Sequence, residues 1–534
     1  MSSENQSEYL SPRRLWTIIG LVCVPVFLGS VDLTVVSAFL PTLILELHLP
    51  VGAGGISGVS WILTSYLLMY SISLFVMGRL SDFIGRRWAF TICLILYVVG
   101  ASIVITYDNI GDSLMSTYAN WGLDPYSAHL HIILIGRGIQ ALGAGAVTAI
   151  ALALVGDLFP KEKRATPLGI IAAMDTIGWL IGAAYAGVVV QFLPWRAIFL
   201  INMPLVLLAL LGMLWALRGI KTERQSSRFD ILGAIALIGA LTSLNIALAT
   251  LDVSESFANS PILPLLGLSV VFFIAFLLIE TWLKNPLIRL GIFLKNGFSP
   301  AMWINLIVGF CLFISLASMP LLVNVKSLGD FGRAAVLRPD LLTTAALISG
   351  IMMGAFTIPL AFATLFSSRL MGWLGIRGLT IGGLAMGGLG FFVIWQFLRL
   401  DVPYALVAVM MAIAGTGLGL TFTPIIVTAL NAVSEAERGV ASALILGIRM
   451  VSMSVATSTL GVYADARVVY LVQSLERGGF LINQVTPKDY PLWFFNSYVQ
   501  STVQAVNEMA LFGFILCAVA IIGAWMLPKR TVTT

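Results

Sequence analysis

The chain has 534 residues, of which 59% are hydrophobic and only 10% charged, and its mean hydropathy is +0.98. Soluble domains hold about 45–50% apolar residues, so this composition excludes a water-soluble globular protein. The formal net charge of +5 reflects an excess of basic residues in the loops of one membrane side, and it implies no nucleic-acid partner.

Apolar runs of about 20 residues or more alternate with short polar joints, the pattern of helices crossing a hydrocarbon core about 30 Å thick. In chain order the predicted spans are 15–41, 56–77, 88–107, 129–154, 166–192, 197–217, 231–251, 262–283, 299–324, 342–366, 378–398, 403–431, 439–463 and 508–527, fourteen in all. The amino-terminal stretch is polar up to Arg14 and has no small-residue cleavage site before Val31, so the first span is expected to be retained rather than removed as a signal peptide. An even count places both termini on one side. Loops on that side carry 20 Lys and Arg and the opposite loops 8, with Arg137 and Arg449 inside spans. The basic side faces the cytoplasm, so both termini are expected there, in a multi-pass protein of the cell membrane.

The first span holds Asp32, about two-thirds of the way along. An ionisable residue inside the membrane costs roughly 2.5–3.5 kcal/mol or more, so Asp32 reads as a candidate proton carrier. A helix–helix hydrogen-bonding role is the structural alternative. Between the second and third spans, Gly78-Arg79-Leu80-Ser81-Asp82-Phe83-Ile84-Gly85-Arg86-Arg87 forms a tight charged loop whose glycines let helix ends approach closely. Asp82 is expected to pair with a nearby helix N-terminus and so to hold the two bundles together in the outward-open state. Arg86 and Arg87 are expected to act as a gating latch, or as topogenic charges.

The fourth span opens near Arg137, followed by Gln140 and Gly143. Arg137 lies at a depth similar to Asp32, and a cation beside a carboxylate that can gain a proton or meet cargo is the minimum hardware for coupling protons to shape. In the fifth span Asp175 is either a second proton site or the counter-ion of Arg449, which lies near the middle of the thirteenth span. Gly178 and Gly182 set a small-xxx-small pattern expected to allow close contact where bundles rock.

The seventh and eighth spans have no counterpart elsewhere in the chain, and a basic linker (Arg218, Lys221, Arg224, Arg228) leads into them. The later part of the chain repeats the earlier part. Ser368-Arg369-Leu370-Met371-Gly372-Trp373-Leu374-Gly375-Ile376-Arg377 is a near-copy of the 78–87 loop, 290 residues on. Gly143 and Gly145 return as Gly417 and Gly419, and Arg164 as Arg438, both at an offset of 274. Repeated bundles are how many transporters are built. The division expected is 1–218 for one six-helix bundle, 219–295 for two inserted helices and 296–534 for a second six-helix bundle.

Three segments of the outer side are long, at about 108–128, 325–341 and 464–507. The last carries Tyr470, Leu471, Phe480, Leu481, Trp493, Phe494 and Phe495. It reads either as an ordered cap or as a lip that helps lipophilic cargo leave. His48, His129 and His131 fall near outer helix ends, where an interfacial role is expected. Cys23, Cys93, Cys311 and Cys517 each sit singly in apolar runs and read as packing residues. No metal-ligand spacing, P-loop or nucleophile motif occurs, so no cofactor, metal or catalytic residue is expected.

These residues together resemble the major facilitator superfamily, and within it the fourteen-helix drug:proton antiporters. The 78–87 loop is similar to the family's motif between its second and third helices, and Asp32 to its acidic motif in the first. Arg137 with Gln140 and Gly143 is similar to the fourth-helix motif. Trp195-Arg196 through Pro204, Phe229-Asp230 with Gly233, and Arg438-Gly439 through Arg449 match further family patterns. In one departure, Gly182 is followed by Ala183 where the antiporter motif has a kink-forming proline, so strict antiport stoichiometry is not implied. The context of Asp32, the Trp61-Ile62 and Tyr66-Leu67-Leu68 pattern and Ile448-Arg449-Met450 are similar to those of the mycobacterial triacylglyceride exporters. The resemblance implies lipophilic or amphiphilic cargo, drug or lipid, proton coupling through Asp32, Arg449 and Asp175, a gating role for Gly78, Asp82, Gly85, Arg86, Arg87 and Arg377, and alternating access by a monomer. It also raises an extracytoplasmic lipid-carrier partner.

Two other classes are weighed against this. Uptake of a small polar metabolite predicts more Asn, Gln and charge at mid-depth than the spans contain. A membrane enzyme or a non-transporting sensor would need a catalytic motif, or would have no use for paired gating loops.

Overall fold

The computed structural model describes residues 11–39, 43, 46–47, 55–159, 163, 165–218, 229–250, 262–283, 286–331, 339–434, 437–477 and 490–528. His48, Arg164, Lys221, Arg224, Arg228, Phe480 and Leu481 lie outside them. Among the described residues the chain is helical and contains no strand. A backbone with no water to bond must satisfy its own N–H and C=O groups, and long apolar runs do so as helices.

The helices, in order, are α1 (Pro12–Val31), α2 (Gly55–Ile84), α3 (Arg86–Ile105), α4 (Tyr107–Asn120), α5 (Ser127–Gly145), α6 (Val147–Leu158), α7 (Ala165–Phe192), α8 (Arg196–Ala216), α9 (Ile231–Ala249), α10 (Ile262–Trp282), α11 (Phe298–Phe331), α12 (Pro339–Phe397), α13 (Tyr404–Asn431), α14 (Arg438–Arg477) and α15 (Tyr490–Ala524). A short helical turn, Val35–Ala38, continues α1. Among the described residues twelve helices are long and apolar enough to cross a membrane, or thirteen when the bent α7 is taken as one span. The expected fourteen is not reached because Ala346–Phe397 runs as a single apolar stretch of 52 residues. That stretch is broken only at Gly375, whose φ of 72° and ψ of 172° are not helical.

Helices α1–α8 form an N-terminal bundle and α11–α15 a C-terminal one. The bundles meet along two seams, α2 against α14 and α7 against α12. The inserted α9 packs on α10 and lies against both α2 and α14. Its docking is polar: fully buried Asn245 accepts from Ser454 Oγ (2.9 Å) and Ser458 Oγ (3.0 Å) of α14.

Two expectations about connections change. The stretch after the third span is helical, as α4. The long segment 464–507 is largely helix, since α14 runs on to Arg477 and α15 starts at Tyr490. At 1.5 Å per residue, the 40 residues of α14 extend about 60 Å, twice a hydrocarbon core. Arg467 makes a bidentate pair with Glu508 there (2.7 Å for each bond), and Val468, Val472 and Ala505 form a small apolar core of their own. The four cysteines are buried and free, as packing residues should be, with Cys311 and Cys517 sulfurs 3.9 Å apart.

Candidate functional site

Helix α1 ends at Val31, and Asp32 caps it before a turn leads to Val35–Ala38. A helix end leaves backbone carbonyls without intrahelical donors. Arg137 Nη2 fills that need by donating to the Asp32 carbonyl at 2.8 Å. Arg137 Nη1 donates to Gln140 Oε1 (2.8 Å), and Gln140 Nε2 donates to Asp32 Oδ2 (2.8 Å). Tyr97 of α3 donates to the same Oδ2 at 2.5 Å. Arg137 therefore grips the backbone of Asp32 and reaches its carboxylate only through Gln140. The direct cation–carboxylate contact expected from their depth is replaced by a three-residue relay.

Arg137 stacks over the ring of Tyr66 with its guanidinium carbon 3.9 Å from the centroid, and Tyr66 donates to the Gly29 carbonyl at 3.2 Å. Asp32 and Gln140 are wholly buried, and Arg137 is 1% exposed. Asp32 Oδ1 has no hydrogen-bond partner among the described residues, and neither has Asn202 Nδ2 of α8. The Asn202 amide nevertheless stands close enough to interact with the Asp32 carboxylate. Burying a carboxylate oxygen without a hydrogen bond is costly.

Asp175 and Arg449 lie at corresponding places of the two bundles, 274 residues apart, the offset that also relates Gly143 to Gly417. Asp175 Oδ1 accepts from Ser30 (2.6 Å) of α1 and Thr148 (2.9 Å) of α6. Arg449 Nε donates to Asn305 Oδ1 (3.0 Å) of α11, and its guanidinium carbon stands 3.9 Å over the Phe422 ring. Each bundle thus joins its first long helix to the matching later helix through one charge, acidic in one bundle and basic in the other. Among the described residues no ion pair joins Asp175 to Arg449. The two buried charges nevertheless act on each other through space, so Asp175 serves Arg449 as a counter-ion at a distance and not in direct contact.

At the 78–87 hairpin, Asp82 pairs with Arg79 (2.9 Å) and Arg86 (2.6 Å), and Arg86 also reaches Asp157 (3.5 Å) and Ser81. The expected helix N-terminus is not among the described partners of Asp82. Gly85 has φ 92°, a left-handed conformation that L side chains rarely adopt. Gly78 is not crowded: a Cβ there would lie 3.9 Å from Ala149. Arg87 Nη2 donates to the Leu214 carbonyl at 3.3 Å, near the end of α8, and Arg377 donates twice to the Leu527 carbonyl (2.9 and 2.6 Å), just past α15. Each arginine clamps its hairpin to the last helix of its own bundle. The expected latch between bundles is not formed by these side chains.

The glycines of α7 also act within one bundle. A Cβ on Gly178 would lie 2.4 Å from the Phe27 carbonyl, and one on Gly182 would lie 2.3 Å from Thr34 Oγ1. Both therefore fit α7 against α1. Close approach of the two bundles falls to Gly187 and Gly350 at the α7–α12 seam, where added Cβ atoms would meet Ala346 O at 2.9 Å and Ala183 O at 2.7 Å, and to Gly447 at the α2–α14 seam, where one would meet the Phe75 ring. Helix α7 bends by 47° between Trp179 and Ile181 without the family's proline. Thr34 Oγ1 donates to the Trp179 carbonyl at 3.1 Å, so a foreign donor at the helical ladder marks the bend.

Asp32, Arg137 and Gln140 are brought together as the sequence suggested. Tyr66, Tyr97, Ser30, Thr148, Asn202 and Asn305 are not singled out by the sequence as members of these sites, although Tyr66 and Asn202 stand within the quoted resemblance patterns. The available signal was a polar group inside an apolar run. Among the described residues no group of three or more His, Cys, Asp or Glu could hold a metal ion. Outside the spans, Glu437 accepts from Lys295 and Ser434, which hold its carboxyl at about 2, below the ordinary 4.5.

The Major Facilitator Superfamily profile matches residues 22–457. The multidrug transporter protein MdtP of Bacillus subtilis is 26% identical over 458 residues, covering 85% of this chain and 76% of that protein. A triacylglyceride transporter of Mycobacteroides abscessus is 28% identical over 460 residues, covering 83% and 81%. Among solved structures, a D-xylose-proton symporter superposes with a TM-score of 0.61 at 14% identity over 97% of this chain and 99% of its own. An auto-inhibited POT family peptide transporter gives 0.60 at 16% identity over 98% and 99%. At such low identity the solved structures support the fold alone.

Proposed function

Because the chain belongs to the Major Facilitator Superfamily, we propose that this transporter exports lipophilic or amphiphilic compounds, driven by protons and by alternating access between its two bundles. The observation that carries this reading is the wholly buried Asp32, with one carboxylate oxygen open and the other tied through Gln140 to Arg137. A carboxylate out of reach of water can change the shape around it by gaining or losing one proton. Asp175 and Arg449 then act as the second pair of charges in the coupling. Protonation of Asp32 from the outside drives the return step.

In this reading α12 crosses twice, turning at Gly375, and the count becomes fourteen spans with both termini in the cytoplasm. Residues 1–218, 219–295 and 296–534 are the N-terminal bundle, the inserted pair and the C-terminal bundle of a monomer in the cell membrane. The names of the relatives, multidrug in one case and triacylglyceride in the other, support a greasy cargo. A dedicated lipid exporter or flippase is the second reading. It is favoured by α14 and α15, which are longer than a membrane requires and would reach towards an extracytoplasmic lipid carrier.

The test is cargo-dependent proton movement in proteoliposomes under an imposed pH gradient, wild type beside Asp32→Asn. A cationic dye and a labelled neutral lipid are offered in parallel. Proton-linked movement of either cargo that disappears in Asp32→Asn is the expected result. Undiminished coupling in the variant would remove Asp32 from the proton route.

A further inference from the structure

Asp32 Oδ1 of the turn after α1 and Asn202 Nδ2 of α8 are buried without a hydrogen bond among the described residues, and the two side chains stand close enough to interact. Asn202 is 1% exposed, and Pro204 lies two residues further along the same helix. Proline has no N–H to give to the carbonyl four residues back, so the helical ladder is weakest beside Asn202. The other end of the Asn202 amide is occupied. Tyr185 of α7 donates its hydroxyl to Asn202 Oδ1 at 3.2 Å.

Tyr185 belongs to the short limb Ile181–Phe192, beyond the 47° bend of α7. That limb is where α7 touches the C-terminal bundle backbone to backbone. Cβ atoms built on Gly350 and Gly187 would lie 3.2 Å from Ala184 Cα and 3.1 Å from Leu347 Cα, the contacts on either side of Tyr185. At these two glycines the nearest neighbours are backbone atoms, so a shift of a few tenths of an ångström there is taken up by moving a helix.

We propose that Asn202 and Tyr185 are positioning residues that transmit the charge state of Asp32 to the crossing of α7 and α12. An ionised carboxylate draws the Asn202 amide towards Oδ1, and a neutral one releases it. The amide moves at the weakened part of α8, and its carbonyl oxygen takes the Tyr185 hydroxyl with it. Tyr185 sits between Ala184 and Gly187 on a limb already set off by a bend, so its movement tightens or loosens the contact with Ala346 and Gly350. The charged or titratable groups facing Asp32 are Arg137 from α5, Tyr66 from α2, Tyr97 from α3 and Tyr185 from α7.

The inference rests on Asp32 being the proton site, and the test separates the two. Spin labels on Val188→Cys and Ile351→Cys flank the crossing at positions 50% and 54% exposed, away from the polar site. Their separation is measured by pulsed electron paramagnetic resonance on the full chain in nanodiscs between pH 5 and 9, with proton uptake followed by dye in the same samples. In otherwise wild-type protein the distance distribution is expected to redistribute with pH. Tyr185→Phe deletes one hydroxyl and is expected to change the pH-driven population ratio by about two- to tenfold, the worth of one hydrogen bond, with proton uptake retained. Asn202→Ala is expected to do the same, and adding Asp32→Asn to Tyr185→Phe should produce the Asp32→Asn behaviour and nothing more. A Tyr185→Phe distribution that follows pH as the wild type does would overturn the link. So would a wild-type distance indifferent to pH. An Asp32→Asn protein that still redistributes and takes up protons normally would instead overturn the reading of Asp32 itself.

Discussion

Gly85 and Gly375 both hold a positive φ, 92° and 72°, and two residues after each an arginine reaches a carbonyl near the end of the last helix of its bundle. The charges around them differ. Asp82, Arg86 and Asp157 form a network at the first hairpin, whereas the positions matching Asp82 and Arg86 in the second are Gly372 and Ile376. In the C-terminal bundle a different ion pair, Lys295–Glu437, joins the segments that lead into α11 and α14. The comparison separates what the fold needs twice from what is specific to one bundle. A turning glycine and an arginine clamp belong to the architecture. The acidic network belongs to the N-terminal hairpin, just as the acid Asp175 is matched by the base Arg449.

If the glycines are architectural, changing either should cost about the same. Gly85→Ala and Gly375→Ala each force a residue with a Cβ into a positive-φ, extended-ψ conformation open essentially to glycine alone, at roughly 1–3 kcal/mol. Both are expected to lower the thermal midpoint of the purified protein by a similar amount. A loss confined to Gly85→Ala would break the equivalence of the two turns.

The clamps should differ modestly. Arg377 makes two bonds of 2.9 and 2.6 Å to one carbonyl, and Arg87 a single bond of 3.3 Å. Replacement by Met should therefore cost about 1 kcal/mol for Arg377 and less for Arg87, these being part-exposed sites. Chemical or thermal unfolding of the two variants side by side gives the ranking, and the reverse order would show that geometry does not set it.

The smallest effect concerns the ion pair at Glu437. Its carboxyl is depressed to about 2, through bonds from Lys295 and Ser434, so its contribution is fully present above the ordinary 4.5 and is lost as pH falls towards 2. The difference in thermal midpoint between wild type and Glu437→Gln should accordingly be constant from pH 8 down to pH 5. A difference that fades across that range would mean the pair titrates elsewhere.

Much of this could be read along the chain. Asp32, Arg137 and Gln140 stand out because charge is rare in the spans, and the 290-residue repeat announces Gly375 and Arg377. Other features left no linear trace. Asn202, Tyr185 and Tyr97 come from three helices and share no spacing, and each is a polar group that an isolated helix could carry with or without a purpose. The close contact at Gly182 is legible but its partner is not, because a small residue shows that something comes close without showing what. Here the neighbour is Thr34 of the same bundle rather than the other bundle.

By itself the sequence determined a helical membrane protein of repeated bundles, because hydropathy and loop glycines are local properties with a single structural answer in lipid. Tertiary structure alone decided that Arg137 holds the carbonyl of Asp32 and not its carboxylate, that Asp175 and Arg449 face each other without direct contact, and that α7 and α12 cross at Gly187 and Gly350. Those outcomes depend on where helices end and how they rotate against one another. A hydrogen bond is made or lost within a few tenths of an ångström, far finer than any periodicity along the chain can specify.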